Sequence, residues 1–168
     1  MEKSAKIWNR FAQGYAKRSI ADMDAYEEKL KITQKYFKPD MEVLEIGCGT
    51  GGTARIHSSH VKHILATDFS SSMIEIAKDR AQEEGVKNVT FECATMMSLD
   101  IKNESLDVVL ALSLLHLLNK KEKQETIEKI YEKLKKGGVF VNNTGCLNDH
   151  MPFLKLILPV LFFRGCPS

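Results

Sequence analysis

The stretch VLEIGCGTGGTA, Val43 to Ala54, constrains the fold more than any other part of the chain. An apolar, β-prone run passes at once into four glycines, Gly47, Gly49, Gly51 and Gly52, and then into a run that reads as helix. Glycine adopts left-handed backbone freely and lets main chain approach a neighbour or a ligand with no Cβ between them. A strand that turns through such a loop into a helix aims the helix N–H groups at the carboxyl end of the strand, which is where open α/β sheets bind ligands. A single carboxylate, Glu45, stands just ahead of the first glycine.

The rest of the chain repeats this strand–helix unit. Strands are predicted at EVLEIG, HILATD, NVTFEC, LDVVLAL and GVFVNNT, with helices from Thr50, over Ser71 to Glu84, and from about Glu122 to Leu134. Near-continuous apolar strands separated by helices indicate a parallel sheet buried on both faces, so the expected fold class is α/β, a doubly wound sheet with right-handed crossovers. Two helices lead into it. Trp8, Phe11 and Tyr15 recur at helical spacing, and a second periodic stretch runs from Asp24 to Phe37 and stops at KPD. The lysine-rich run after Asn119 puts Ile127, Ile130, Tyr131 and Leu134 on one helical face with charge elsewhere, and KKGG is expected to close that helix with glycine in the left-handed region. The expected organisation is one domain with a helical cap over 1–37, an α/β core over 38–147 and an apolar tail over 148–168.

Composition narrows the partners. Against 24 basic residues stand 22 acidic ones, interspersed, for a net charge of +2, and no field strong enough to gather nucleic acid or anionic lipid results. Cys48, Cys93, Cys146 and Cys166 lie far apart without metal-ligand spacing, which suits reduced thiols and a cytoplasmic location; no metal site is expected. No signal peptide is read at the N-terminus, and FLKLILPVLFF, interrupted by Lys155 and Pro159, is about half the roughly 20 residues a membrane-spanning helix needs.

Spacing alone leaves the ligand of the loop open. Positions 47, 49 and 52 satisfy the dinucleotide pattern GxGxxG, while 47, 49 and 51 satisfy GxGxG. Glu45 tips the balance, because a carboxylate near the helix N-terminus repels a pyrophosphate and attracts a cation. A nicotinamide-dependent oxidoreductase, for which no Tyr-x-x-x-Lys pair is recognised in the chain, is therefore the weaker reading.

The motif LEIGCGTG resembles the first motif of class I S-adenosylmethionine-dependent methyltransferases of the small-molecule type, with a Rossmann-like fold. In that family an acidic residue and the loop that follows it cradle the amino-acid end of the cofactor, which implies cofactor-binding roles for Glu45, Gly47, Cys48, Gly49 and Gly51. ILATDFSSSMIEIAK resembles the second strand segment, with Asp68 accepting from the ribose hydroxyls and Phe69 and Met73 flanking the adenine. Asp68 lies 21 residues after Gly47, an offset that a dinucleotide site shares, and as an isolated residue it equally suits a helix cap. Aligning on SLDVV puts Thr95 where many members carry an acidic residue for the adenine amino group, which leaves Thr95 and the backbone of Ala94 and Met96 to read that edge. Leu112 and Ser113 would lie near the methionine portion. His116, in LLHLL, is a weak candidate for a general base and otherwise a structural histidine; no catalytic residue is assigned. IWNRFAQGYAKR resembles the helix that folds over the cofactor, with Tyr15 either a contact or simply packed.

The resemblance implies seven strands, and five are read here, so the last two are expected to be missing from this chain. Residues Phe153, Leu154, Leu156, Ile157, Leu161, Phe162 and Phe163 form an apolar stretch that is expected to fold back over the cofactor side or the open edge, or to mediate self-association or peripheral membrane contact. The resulting expectation is methyl transfer to a small molecule from S-adenosyl-L-methionine, with no nucleic acid partner. A cofactor-binding protein without turnover is the alternative.

Overall fold

The computed structural model describes residues 2–18, 20 and 22–143. The tail expected over 148–168 lies outside the described residues, as do Cys146 and Cys166. Two helices, α1 (Glu2–Ala16) and α2 (Met23–Gln34), lead into β1 (Glu42–Ile46), α3 (Gly52–His57), β2 (His63–Asp68), α4 (Ser71–Glu83), β3 (Val89–Cys93), β4 (Leu106–Leu112), α5 (Lys120–Lys133) and β5 (Leu134–Asn143).

All five strands are parallel, in the order β3-β2-β1-β4-β5. The chain winds outward from β1 to β3 and then returns to lay β4 on the other side of β1, which makes the doubly wound sheet that the strand–helix rhythm predicts. The reversal leaves a crevice at the carboxyl ends of β1 and β4, between loops that leave the sheet in opposite directions.

Alternation along each strand fills two cores. Val43, Ile64, Val108 and Leu110 face one side with Ile74 and Ala77 of α4, while Leu44, Ile46, Val109 and Ala111 face the other with Ile130 of α5 and Phe140. Burial on both faces explains why the strands read as continuous apolar runs rather than alternating ones.

Helix starts follow capping chemistry. The Asp22 side chain accepts from Ala25 N at 2.9 Å, and the Ser70 hydroxyl accepts from Met73 N at 3.3 Å. At α5, Asn119 and Glu122 form a reciprocal capping box, so the helix begins at Lys120 rather than near Glu122. Its far end departs from expectation more clearly. The helix gives way directly to an extended Leu134 that pairs with Leu106, and KKGG lies inside β5 at an irregularity of the β4–β5 register rather than capping α5. Gly137 does use left-handed backbone, with φ +82°, but for the extra chain length of that strand start. No helix among the described residues is long and apolar enough to cross a membrane.

Candidate functional site

The glycine loop sits at the crevice. Gly51, with φ +71°, is the residue from which α3 starts; a Cβ there would lie 2.6 Å from Phe91 Cε1 and 2.9 Å from Ala77 Cβ. It is a packing glycine and does not line the cavity beside the loop. Gly47 likewise carries Leu114 against its backbone, where a Cβ would fall 2.9 Å from Leu114 Cδ1. Gly49 differs, because a Cβ there would meet only Tyr15, at 3.7 Å. That position faces a cavity of about 740 Å³, a size typical of small-molecule sites.

Two carboxylates reach this cavity from neighbouring strands. Glu45 is 3% exposed, and its Oε2 is buried without a hydrogen-bond partner. Burial pushes its pKa up to about 8, with the nearby Asp68 adding to the rise and Lys29 of α2 opposing it. Asp68 is also raised by burial, against hydrogen bonds from backbone N–H groups. Its Oδ2 accepts from Gly49 N at 3.0 Å and its Oδ1 from Ser70 N at 2.9 Å. Asp68 therefore ties the glycine loop to the end of β2, while the cap of α4 is Ser70. Cys48, whose N–H donates to Thr67 O at 2.9 Å, lines the cavity with a thiol that burial pushes up, helped by Glu45 and Asp68. A thiol held protonated in this way is inert as a nucleophile.

Phe69, Met73, Leu112 and Ser113 also line the cavity. Ser113 has φ +59°, an uncommon conformation for a residue other than glycine, and its N–H donates to Asn143 O at 2.8 Å. That kink at the end of β4 sets Leu114 against Gly47.

Helix α1 closes the loop side. Tyr15 lines the cavity beside Gly49 and meets Trp8 edge-on, with ring centroids 6.1 Å apart. Asn9 Oδ1 accepts from the Ser70 hydroxyl at 2.6 Å and from Ser72 N at 3.3 Å, and Arg80 of α4 donates to Ala16 O at 2.7 Å. Both proposed roles of Tyr15, contact and packing, are thus compatible with its position.

Besides Gly51, three expected site residues stand apart from the cavity. Thr95 donates its N–H to the Ser98 hydroxyl at 3.0 Å in the turn after β3, and Met96, 5% exposed, packs in the core against α5. His116 is exposed in the single 3-10 turn over Leu115–Leu117 and is not a lining residue. Sequence reasoning missed Asn9, Lys29 and Arg80, which come from helices far from the glycine motif in the chain and carry no local pattern that marks them. It also missed that Tyr131 and Lys135 have the Tyr-x-x-x-Lys spacing of one oxidoreductase class. Neither lines the cavity, and Lys135 donates to both oxygens of Asp107, each at 2.8 Å. No group of three or more His, Cys, Asp or Glu side chains suited to a metal exists among the described residues.

A parallel sheet with its crevice at the β1/β4 reversal, a glycine loop and an acidic residue at the ends of β1 and β2 together define a class of nucleotide-cofactor folds. The family model described as "Methyltransferase domain" matches residues 43–138, and the chain belongs to that family, the class I S-adenosylmethionine-dependent methyltransferases. It is 32% identical over 112 residues to the uncharacterized methyltransferase YcgJ of Bacillus subtilis, covering 67% of this chain and 44% of that one. The crystal structure of YcgJ superposes with a TM-score of 0.66 at 28% identity, over 70% of this chain and 50% of the other. A demethylmenaquinone methyltransferase of Leptospira interrogans is 34% identical over 137 residues, 78% of this chain and 53% of that one. Phosphoethanolamine N-methyltransferase 1 of Haemonchus contortus, in complex with phosphoethanolamine and S-adenosylhomocysteine, shares the fold with a TM-score of 0.74 at 20% identity, over 92% of this chain and 34% of the other. The chain spans about half or less of the length of these relatives. Neither the nicotinamide reading nor cofactor binding without turnover is favoured by these matches.

Proposed function

We propose that this chain binds S-adenosylmethionine in the cavity beside the glycine loop and transfers its methyl group to a small-molecule acceptor. The observation that carries the reading is Glu45, a buried carboxylate with an unpartnered oxygen at the end of the central strand. A buried acceptor left without a partner is costly, and a ligand that brings a positive charge removes the cost. A pyrophosphate would add to it. The backbone at Gly49 leaves the space a Cβ would fill, and Asp68 stands at the end of β2 with acceptor capacity beyond its bonds from the backbone of Gly49, Phe69 and Ser70. The residues present fit the cofactor.

Glu45 and the loop at Gly47, Cys48 and Gly49 would hold the amino-acid end, Asp68 the ribose, Phe69 and Met73 the adenine, and Leu112 the methionine portion. When bound, the cofactor supplies an electrophilic methyl group on a sulfonium. The chain contributes positioning and a dry surface: Tyr15 and Trp8 cover the loop from α1, and Arg80 fixes the end of that helix. Positioning of this kind is a major source of acceleration in group transfer. Thr95 and Met96, as neighbours of β3, are proposed to shape the adenine edge through backbone rather than side chains. The cap over 1–37 and core over 38–147 are the proposed functional division.

Calorimetry with S-adenosylmethionine, S-adenosylhomocysteine and NAD tests the cofactor. Either sulfur ligand should bind more tightly than NAD, and the reverse order would overturn the assignment.

A further inference from the structure

The outer part of the cavity is unlike its floor. Ile20, Met23, Ile56 and Leu117 are 44%, 51%, 43% and 51% exposed, and all four line it. They arrive from separate segments: the link after α1, the start of α2, the last turn of α3 and the turn after β4. Scattered exposed apolar residues are ordinary, but convergence of four from four segments on the mouth of one cavity marks a binding surface. Tyr15, also half exposed, joins them to Gly49 and so to the cofactor floor.

The cationic side chains of the same cavity are largely committed elsewhere. Arg55, its side chain 10% exposed, donates to Glu84 at 2.8 Å and to Thr50 O at 2.8 Å. Arg80 donates to Ala16 O at 2.7 Å and to the Thr50 hydroxyl at 3.4 Å. Lys29 lies over the Tyr26 ring, 4.6 Å from its centroid, and in the field of Glu45. Recognition of phosphate favours an arginine fork with its donors turned to the ligand, and the forks of Arg55 and Arg80 are turned to the protein. Arg18 stands at the rim as a single further cation.

Building on the methyltransferase reading, we propose that the mouth formed by Ile20, Met23, Ile56 and Leu117 is the acceptor subsite, and that it takes an uncharged apolar molecule with a single nucleophilic polar end rather than a phosphorylated one. The apolar body lies against these four side chains and the polar end points inward, toward Ser113 and the glycine loop.

The test uses the full chain with saturating S-adenosylhomocysteine, titrated by calorimetry with 2-naphthol as the apolar probe and with phosphoethanolamine as the anionic one. 2-Naphthol should bind at least about tenfold more tightly, and Ile56→Asp and Leu117→Asp should each weaken it about tenfold while leaving the S-adenosylhomocysteine affinity within about twofold. Ile56→Ser and Leu117→Ser repeat the measurement should either aspartate variant lose its fold by circular dichroism. Phe11→Asp, at an exposed apolar position of α1 that does not line the cavity, should change neither affinity. Tighter binding of phosphoethanolamine, or 2-naphthol binding that survives all mouth substitutions, overturns the proposal. Failure of S-adenosylhomocysteine to bind would instead strike the cofactor reading, while the 2-naphthol series without cofactor would still report on the mouth.

Discussion

At the glycine-loop end of the cavity, Gly51 has Phe91 and Ala77 where its Cβ would be, whereas at the mouth Ile56 and Leu117 stand about half exposed to water. The floor is held by backbone: Asp68 ties Gly49 to β2, and Cys48 N–H continues the ladder to Thr67. The mouth is held by exposed side chains from four segments rather than by backbone. A floor built from backbone geometry admits few residues, so a single change there is felt in folding. A mouth built from exposed side chains tolerates change in folding and registers it in binding.

The largest expected break in that contrast is Gly51→Ala. Left-handed backbone and a Cβ inside contact distance of an aromatic ring act together, and the variant should lose on the order of 4 kcal/mol of stability. Leu117→Ala, half exposed, should lose under about 1 kcal/mol. Thermal unfolding of the pair measures the difference, and equal midpoints would dissolve the distinction between floor and mouth.

Titration sharpens it next, because two buried groups pull stability in opposite directions. Glu45 has its folded pKa at about 8, above the ordinary 4.5, so the folded chain keeps a proton that the unfolded chain releases. Its stabilising contribution is complete below 4.5 and is lost as pH rises through about 8, by on the order of 5 kcal/mol. His57, fully buried under Phe37 with both ring nitrogens unpartnered, has its pKa lowered from 6.5 to about 4, by burial first and then by His60 and Lys29. Its contribution is present above 6.5 and is lost as pH falls through about 4, by on the order of 3 kcal/mol. Between about pH 4.5 and 6.5 the two slopes offset each other, so urea midpoints should change little there and fall as pH rises from about 6.5 to about 8. Glu45→Gln should remove the alkaline fall and uncover an acid one between about pH 6.5 and 4; an alkaline fall that persists in this variant would assign it to another group.

Asp68→Ala should weaken S-adenosylhomocysteine binding by about 2 kcal/mol, the scale of a lost charge-assisted hydrogen bond. Because Asp68 also braces Gly49 and Ser70, Asp68→Asn separates the roles, since it retains one oxygen acceptor. A folded Asp68→Ala with unchanged affinity would reduce Asp68 to a brace.

The same division decides what could be read from sequence. Strand positions, the loop and the two acidic positions were legible, because each is a local demand of backbone geometry: glycine for left-handed turns, apolar runs for strands buried twice, a carboxylate at a strand end. The end of α5 was not. KKGG satisfies a helix stop and a strand irregularity equally well, and only the pairing of Leu134 with Leu106 selects the second. Nor were Asn9, Lys29 and Arg80 legible, since their roles depend on where α1, α2 and α4 pass one another in space. Thr95, Met96 and His116 show the converse: motif position placed them near the carboxyl edge of the sheet, and the local turn then directed Met96 into the core and left His116 exposed.

The smallest expected effect is also the finest probe of the boundary between floor and mouth. Gly49 shares the left-handed backbone of the loop, with φ +54°, but its missing Cβ faces the cavity, where the nearest atom is Tyr15 Cε1 at 3.7 Å. Gly49→Ala should therefore lose only about 1 kcal/mol of stability, the cost of the backbone conformation with no steric addition. The added methyl enters the space reserved for the ligand, so S-adenosylhomocysteine affinity should fall about tenfold, a loss comparable with or larger than the change in folding. Measuring both in one preparation, by urea unfolding and calorimetry, reads the two consequences of one carbon. A variant that unfolds as readily as Gly51→Ala would make Gly49 part of the locked floor, and one that binds the ligand unchanged would move the ligand away from the loop.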